Sequence, residues 1–166
     1  IQFNPDESVF VDPIIWSPAR KQAFVSHLML FHCGGNRAAG DILKDQKQNI
    51  PQKRAPMARM ADLARALKEE LRSDRDIRQI GDMLHEAWLL KRGLSDGISN
   101  LTIDRWYETA RQAGALGGKL LGAGGGGFLL FFVEPAKQRS VSAALSDLRQ
   151  IPFDFEPQGS KIIYVA

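Results

Sequence analysis

A single cysteine, Cys33, excludes an intrachain disulfide framework and a zinc site built from cysteines alone. It lies in the apolar segment Leu28-Met29-Leu30-Phe31-His32-Cys33, which suits a buried, inert thiol better than a nucleophile. An excess of one charge is also missing: 22 Lys and Arg nearly balance 19 Asp and Glu, for a net charge of +3. Lys44 and Lys47 sit beside Asp41 and Asp45, and Arg65 and Lys68 beside Glu69 and Glu70. Such interleaving marks solvated helix faces and leaves no stripe for a nucleic acid. A small anionic substrate fits so modest a charge better than a polyanion does. No apolar run approaches the ~20 residues of a membrane span, and no secretory signal opens the chain. The expectation is therefore a cytoplasmic protein with neither membrane nor nucleic-acid partners. An initial methionine is missing too. Ile1-Gln2-Phe3 runs straight toward a strand-like segment, as in a chain cut from something longer, and a processed terminus would look the same.

What is present points to one domain, since 166 residues suffice to bury a sizeable core. Ser8–Val11 is strand-like, Ser17-Pro18 reads as a turn, and Phe24–Cys33 reads as a buried strand. Asn36 can cap a helix running to about Gln48. Met57 to Leu71 and Ile77 to Leu90 each hold helical spacing, the second capped by Ser73 or Asp74. Thr102 opens a fourth helix that ends near Gly114. After a glycine-rich run come the strand Phe128–Val133, a helix from Glu134-Pro135 through Leu148, and strands at Phe153–Phe155 and Ile162–Val165 around a turn at Gln158-Gly159-Ser160. This order predicts an α+β fold with helices packed on one face of a mainly antiparallel sheet.

The glycine run, Gly117-Gly118-Lys119-Leu120-Leu121-Gly122-Ala123-Gly124-Gly125-Gly126-Gly127-Phe128, is the strongest single feature. Successive N–H groups in such a loop form a concavity that favours anions. Gly122 to Gly127 formally satisfies G-x-G-x-x-G, but the dinucleotide fingerprint follows a strand and opens a helix, and here the expected order is helix, glycines, strand. Gly114 to Lys119 is one residue too short for a Walker loop, and Leu120 stands where Ser or Thr is needed. Two readings remain, a loop next to a phosphate-bearing substrate or small residues packed against a neighbour.

The segment Gly114 to Phe128 resembles the third signature motif of the GHMP small-molecule kinases. Leu30 to Arg37, Ile42 to Gln46, Leu84 to Arg92 and Ile98-Ser99-Asn100 are similar to the D-glycero-D-manno-heptose phosphate kinase branch, which itself resembles the kinase half of fucokinases. The resemblance implies a ferredoxin-like C-terminal domain over residues 19–166. Residues 1–18 would then be the tail of an N-terminal ATP-binding domain, whose P-x-x-x-G-L-G-S-S loop is nowhere in this chain. It further implies transfer of the ATP γ-phosphate, with Mg²⁺, to a hydroxyl of a heptose phosphate or related sugar. The isolated chain would be inactive, and the catalytic acid or base would lie outside it. Another sugar or sugar-acid kinase of the same superfamily, or a non-catalytic ligand-binding domain, remains open.

Gly122, Ala123, Gly124, Gly125, Gly126 and Gly127 are the expected phosphate-proximal backbone, since phosphoryl transfer relies on positioned donors more than on covalent help. Lys119 is either a contact to an anionic oxygen or a solvated lysine. Arg37, at an expected helix start, is either a phosphate ligand or a surface residue. His85, Trp88 and Arg92 share one helix stripe, as a platform for a sugar phosphate or as a half-buried tryptophan with charged edges. No histidine pair or acidic cluster has metal-ligand spacing, so Mg²⁺ would arrive with the nucleotide.

Overall fold

The computed structural model describes residues 1–35, 39–73 and 75–156. Arg37, Asn36, Asp74 and the segment 157–166, with its expected turn and last strand, lie outside the described residues.

A two-stranded hairpin, β1 (Gln2–Phe3) with β2 (Val9–Phe10), precedes helix α1 (Pro18–Ser26). The Ser17-Pro18 pair thus starts a helix and not a turn. The Ser17 side chain accepts from the Arg20 N–H, and Pro18 takes the first helical position, where its missing N–H costs nothing. The expected long strand from Phe24 is shortened accordingly to β3 (Leu28–Gly34). Helices α2 (Ala39–Asn49), α3 (Arg54–Arg72), α4 (Arg78–Arg92) and α5 (Leu101–Gln112) follow. Asn100, and not Thr102, caps α5: its side chain accepts from the N–H groups of Thr102 and Ile103. Then come β4 (Ala115–Leu121), β5 (Gly127–Val133), α6 (Pro135–Ala144) and β6 (Arg149–Ile151).

The strand order is β4-β5-β3-β6, antiparallel throughout. β3 and β4 both run against β5, so they are parallel to each other with β5 between them, the split β-α-β arrangement of a ferredoxin-like α+β fold. Side chains alternate along β5. Leu129, Phe131 and Val133 enter the main core with Met29, Phe31, Leu120, Trp88, Tyr107 and Val141. Phe132 points to the opposite face, where Phe24 of α1 lies against it with ring centroids 5.9 Å apart.

The glycine run is divided. Gly117 and Gly118 belong to β4, a strand that sequence reasoning missed because glycine is a poor strand former. A Cβ on Gly117 would collide with the Gly81 carbonyl and stand 2.9 Å from the His85 nitrogen, and a Cβ on Gly81 would stand 2.5 Å from that of Leu116. Backbone therefore packs on backbone where α4 lies against β4. At the other end of the two elements Lys91 of α4 donates to the Gly122 carbonyl at 2.8 Å. The helix step from Gly81 to Lys91 covers ~15 Å and the strand step from Gly117 to Gly122 covers ~17 Å, so the two run side by side.

Candidate functional site

Gly122 to Gly126 form the connection of the β4–β5 hairpin, and no helix abuts them directly in sequence. The loop folds back onto two neighbours. Gly124 has φ +133°, and a Cβ there would stand 2.6 Å from the Ile98 Cα. The next N–H, of Gly125, donates to the Ile98 carbonyl at 3.0 Å. On the other side a Cβ on Gly126 would stand 2.5 Å from the Gly34 carbonyl, and one on Gly35 2.9 Å from the Gly125 carbonyl. Three backbone segments thus meet without side chains between them: the hairpin tip, the end of β3 and the turn before α5. Gly124 and Gly126 are packed backbone against backbone. The Gly125 N–H is already satisfied by the Ile98 carbonyl.

This junction forms one wall of a cleft of about 410 Å³ lined by Gly35, Gly125, Gly126, Asn100, Thr102 and Trp106, among others. The N-terminus of α5, the positive end of its dipole, faces the same space. Cys33 is a further wall residue, and partial burial raises its thiol pKa, which keeps it protonated and inert at neutral pH. Leu101, 90% exposed, stands at the rim.

Lys119 does not join this cleft. Its side chain and Lys91 line a separate cavity of about 190 Å³ between α3 and α4. The stripe His85, Trp88 and Arg92 also points elsewhere. Trp88 is fully buried, with its ring centroid 5.9 Å from that of Tyr107, so it presents no face to a sugar. His85 Nδ1 lies 2.8 Å from the Tyr107 hydroxyl, which reaches the Gly118 carbonyl at 3.4 Å. Burial, then the charge of Arg111, holds the His85 imidazole below its ordinary pKa of 6.5, and burial raises that of the Tyr107 phenol. Arg92 reaches Asp104 at 3.3 Å, and Ser99 donates to the same carboxylate oxygen at 2.7 Å. The stripe ties α4 to α5 and steadies the turn that carries Ile98.

Sequence reasoning gave Ile98, Asn100 and Lys91 no site role, although all three lie in segments that carry the family resemblance. Asn100 was detectable as a capping residue ahead of Thr102 and Ile103. Lys91 lies off that stripe, on the side of α4 that meets Gly122 and the α3 cavity. The acceptor role of the Ile98 carbonyl left no sequence signal, since any residue supplies a carbonyl. Among the described residues no three His, Cys, Asp or Glu side chains gather to hold a metal ion.

Comparison with known proteins places residues 61–149 in the family described as GHMP kinases C terminal. The chain is 29% identical over 146 residues to D-glycero-alpha-D-manno-heptose 7-phosphate kinase of Campylobacter jejuni, covering 87% of this chain and 43% of that protein. It is 30% identical over 122 residues to a mevalonate kinase of Pyrococcus horikoshii, covering 72% of this chain and 36% of that protein. A crystal structure of a D-glycero-D-manno-heptose 1-phosphate kinase from Bacteriodes thetaiotaomicron superposes on 92% of this chain and 40% of its own, with a TM-score of 0.62 at 22% identity. The chain thus spans less than half the length of these relatives.

Proposed function

The chain belongs to the GHMP kinase C-terminal family, and from that membership we propose that it is the acceptor-side half of an ATP-dependent kinase for a heptose phosphate or a related sugar phosphate. The observation that carries this reading is the cleft in which the glycine hairpin and the N-terminus of α5 face each other. The likeness over 87% of the chain to a heptose 7-phosphate kinase supports the substrate class. Phosphoryl transfer asks a protein chiefly for position and for fixed dipoles. A hairpin tip held by Gly125 N–H on the Ile98 carbonyl supplies a wall that does not reorganise. The positive end of the α5 dipole adds favourable potential for a phosphate oxygen entering the cleft, with the Thr102 and Ile103 N–H groups themselves taken by the Asn100 cap.

The nucleotide would be held mainly by an N-terminal half, of which residues 1–18 would be the tail, docked on this domain through Asp12 on Lys68 and Trp16 on the Leu71 carbonyl. The hairpin β1–β2 and the segment after it support that assignment. Ile1, Phe3 and Ile15 are 81%, 76% and 90% exposed, an apolar surface suited to covering by another domain. The described residues do not fit a resident metal ion, so Mg²⁺ would enter on the ATP phosphates. The mevalonate kinase likeness favours a second reading, a hydroxy-acid acceptor in the same cleft. A coupled ADP-release assay on the enzyme with both halves separates them. Turnover with heptose 7-phosphate and none with mevalonate is expected; turnover with mevalonate alone, or normal turnover by this chain in isolation, contradicts the proposal.

A further inference from the structure

The cavity between α3 and α4 is separate from the cleft at the hairpin tip and has a different chemistry. Its walls are apolar, with Leu63, Leu67, Leu84 and Ala87 beside the indole of Trp88, and two lysines, Lys91 and Lys119, share its lining. Neither lysine has a carboxylate partner among the described residues, whereas Arg59, Arg65, Lys68, Arg72, Arg78 and Arg92 of α3 and α4 all pair with acids, Arg59 with Glu86 at 2.6 Å. Lys91 spends one donor on the Gly122 carbonyl and keeps two. Burial and the neighbouring Lys119 both disfavour its charge. Two like charges beside apolar walls are electrostatically incomplete, and an anion between them would relieve both the repulsion and the desolvation.

We infer that this cavity is a binding site for a small amphipathic anion, with the apolar chain between α3 and α4 and the acidic head between Lys91 and Lys119. Because Lys91 also holds Gly122, occupancy is felt at the base of the glycine hairpin. The site is independent of which acceptor the cleft takes.

The test is calorimetric titration of this chain with hexyl phosphate, with inorganic phosphate and hexanol as controls. Saturable binding of hexyl phosphate, at least tenfold tighter than either control, is expected. Ala64→Phe fills the apolar end and Lys119→Met removes one charge, and each should weaken binding at least tenfold while circular dichroism stays unchanged. In NMR spectra the Gly122 amide should shift together with the Ala64 and Ala87 methyls on titration. No saturable binding overturns the inference. So does equal affinity for inorganic phosphate, or affinity that neither variant alters, since either would place the anion elsewhere.

Discussion

Gly117 and Gly124 stand seven residues apart in one glycine-rich run, and the fold uses them for different purposes. Gly117 sits inside a strand and lets α4 lie on β4 with backbone against backbone. Gly124 sits in a hairpin connection and lets the loop tip reach the turn before α5. The first contact assembles the domain, and the second shapes the cleft. A glycine run read as one phosphate loop therefore merges a helix-packing device with a cleft-lining one.

Substitutions should separate the two. Gly117→Val puts side-chain atoms where the Gly81 carbonyl already lies, so a cost above about 3 kcal/mol is expected, as for severe overpacking. Thermal unfolding should show it as a Tm drop near 10 °C or a failure to fold, at about 2–4 °C per kcal/mol for this chain length. Gly124→Ala combines φ +133° with a 2.6 Å approach to Ile98. It should cost about 1–3 kcal/mol and, in the enzyme with both halves, lower kcat by at least tenfold. Gly122→Ala meets nothing within 4 Å and keeps only the burden of φ +88°. About 1–2 kcal/mol is expected there, with kcat nearly unchanged. Equal losses for Gly122→Ala and Gly124→Ala would erase the distinction between the tip and the base of the hairpin.

The smallest effect concerns pH. The His85 pKa is held below 6.5 in the folded chain, so as pH falls past that value the unfolded chain takes up the proton first. Stability due to neutral His85 is thus present above pH 6.5 and is lost as the pH falls toward the folded pKa. His85→Gln should flatten the fall of Tm between pH 7 and 5.5; an unchanged slope would contradict the burial assigned to His85.

The fold was largely legible because its helices and β5 carry strong patterns: Met57 to Leu71 and Ile77 to Leu90 hold helical spacing, and Phe128–Val133 is continuously apolar. What escaped did so for physical reasons. β4 is disguised by Gly117 and Gly118, whose absent side chains serve the helix above them. The Ser17-Pro18 pair starts helices as well as turns, and only tertiary context separates the two uses. The stripe His85, Trp88 and Arg92 was correctly placed on one helix face, but spacing cannot say whether a face meets solvent or core. Here Trp88 is fully buried. The candidate site was legible as a glycine loop ahead of β5 and illegible as a hairpin tip or a junction, since β4 was hidden and the Ile98 carbonyl and the Gly34-Gly35 backbone that it meets are contributed by groups every residue has.

Amide hydrogen exchange of the hairpin glycines tests the central claim that the loop tip is a preformed wall. If the Gly125 N–H rests on the Ile98 carbonyl in solution, it should exchange ~100-fold more slowly than in an open chain, about 2.7 kcal/mol of local opening. Exchange of Gly125 at the rate of an unstructured glycine would contradict the account, because the tip would then be free to reorganise.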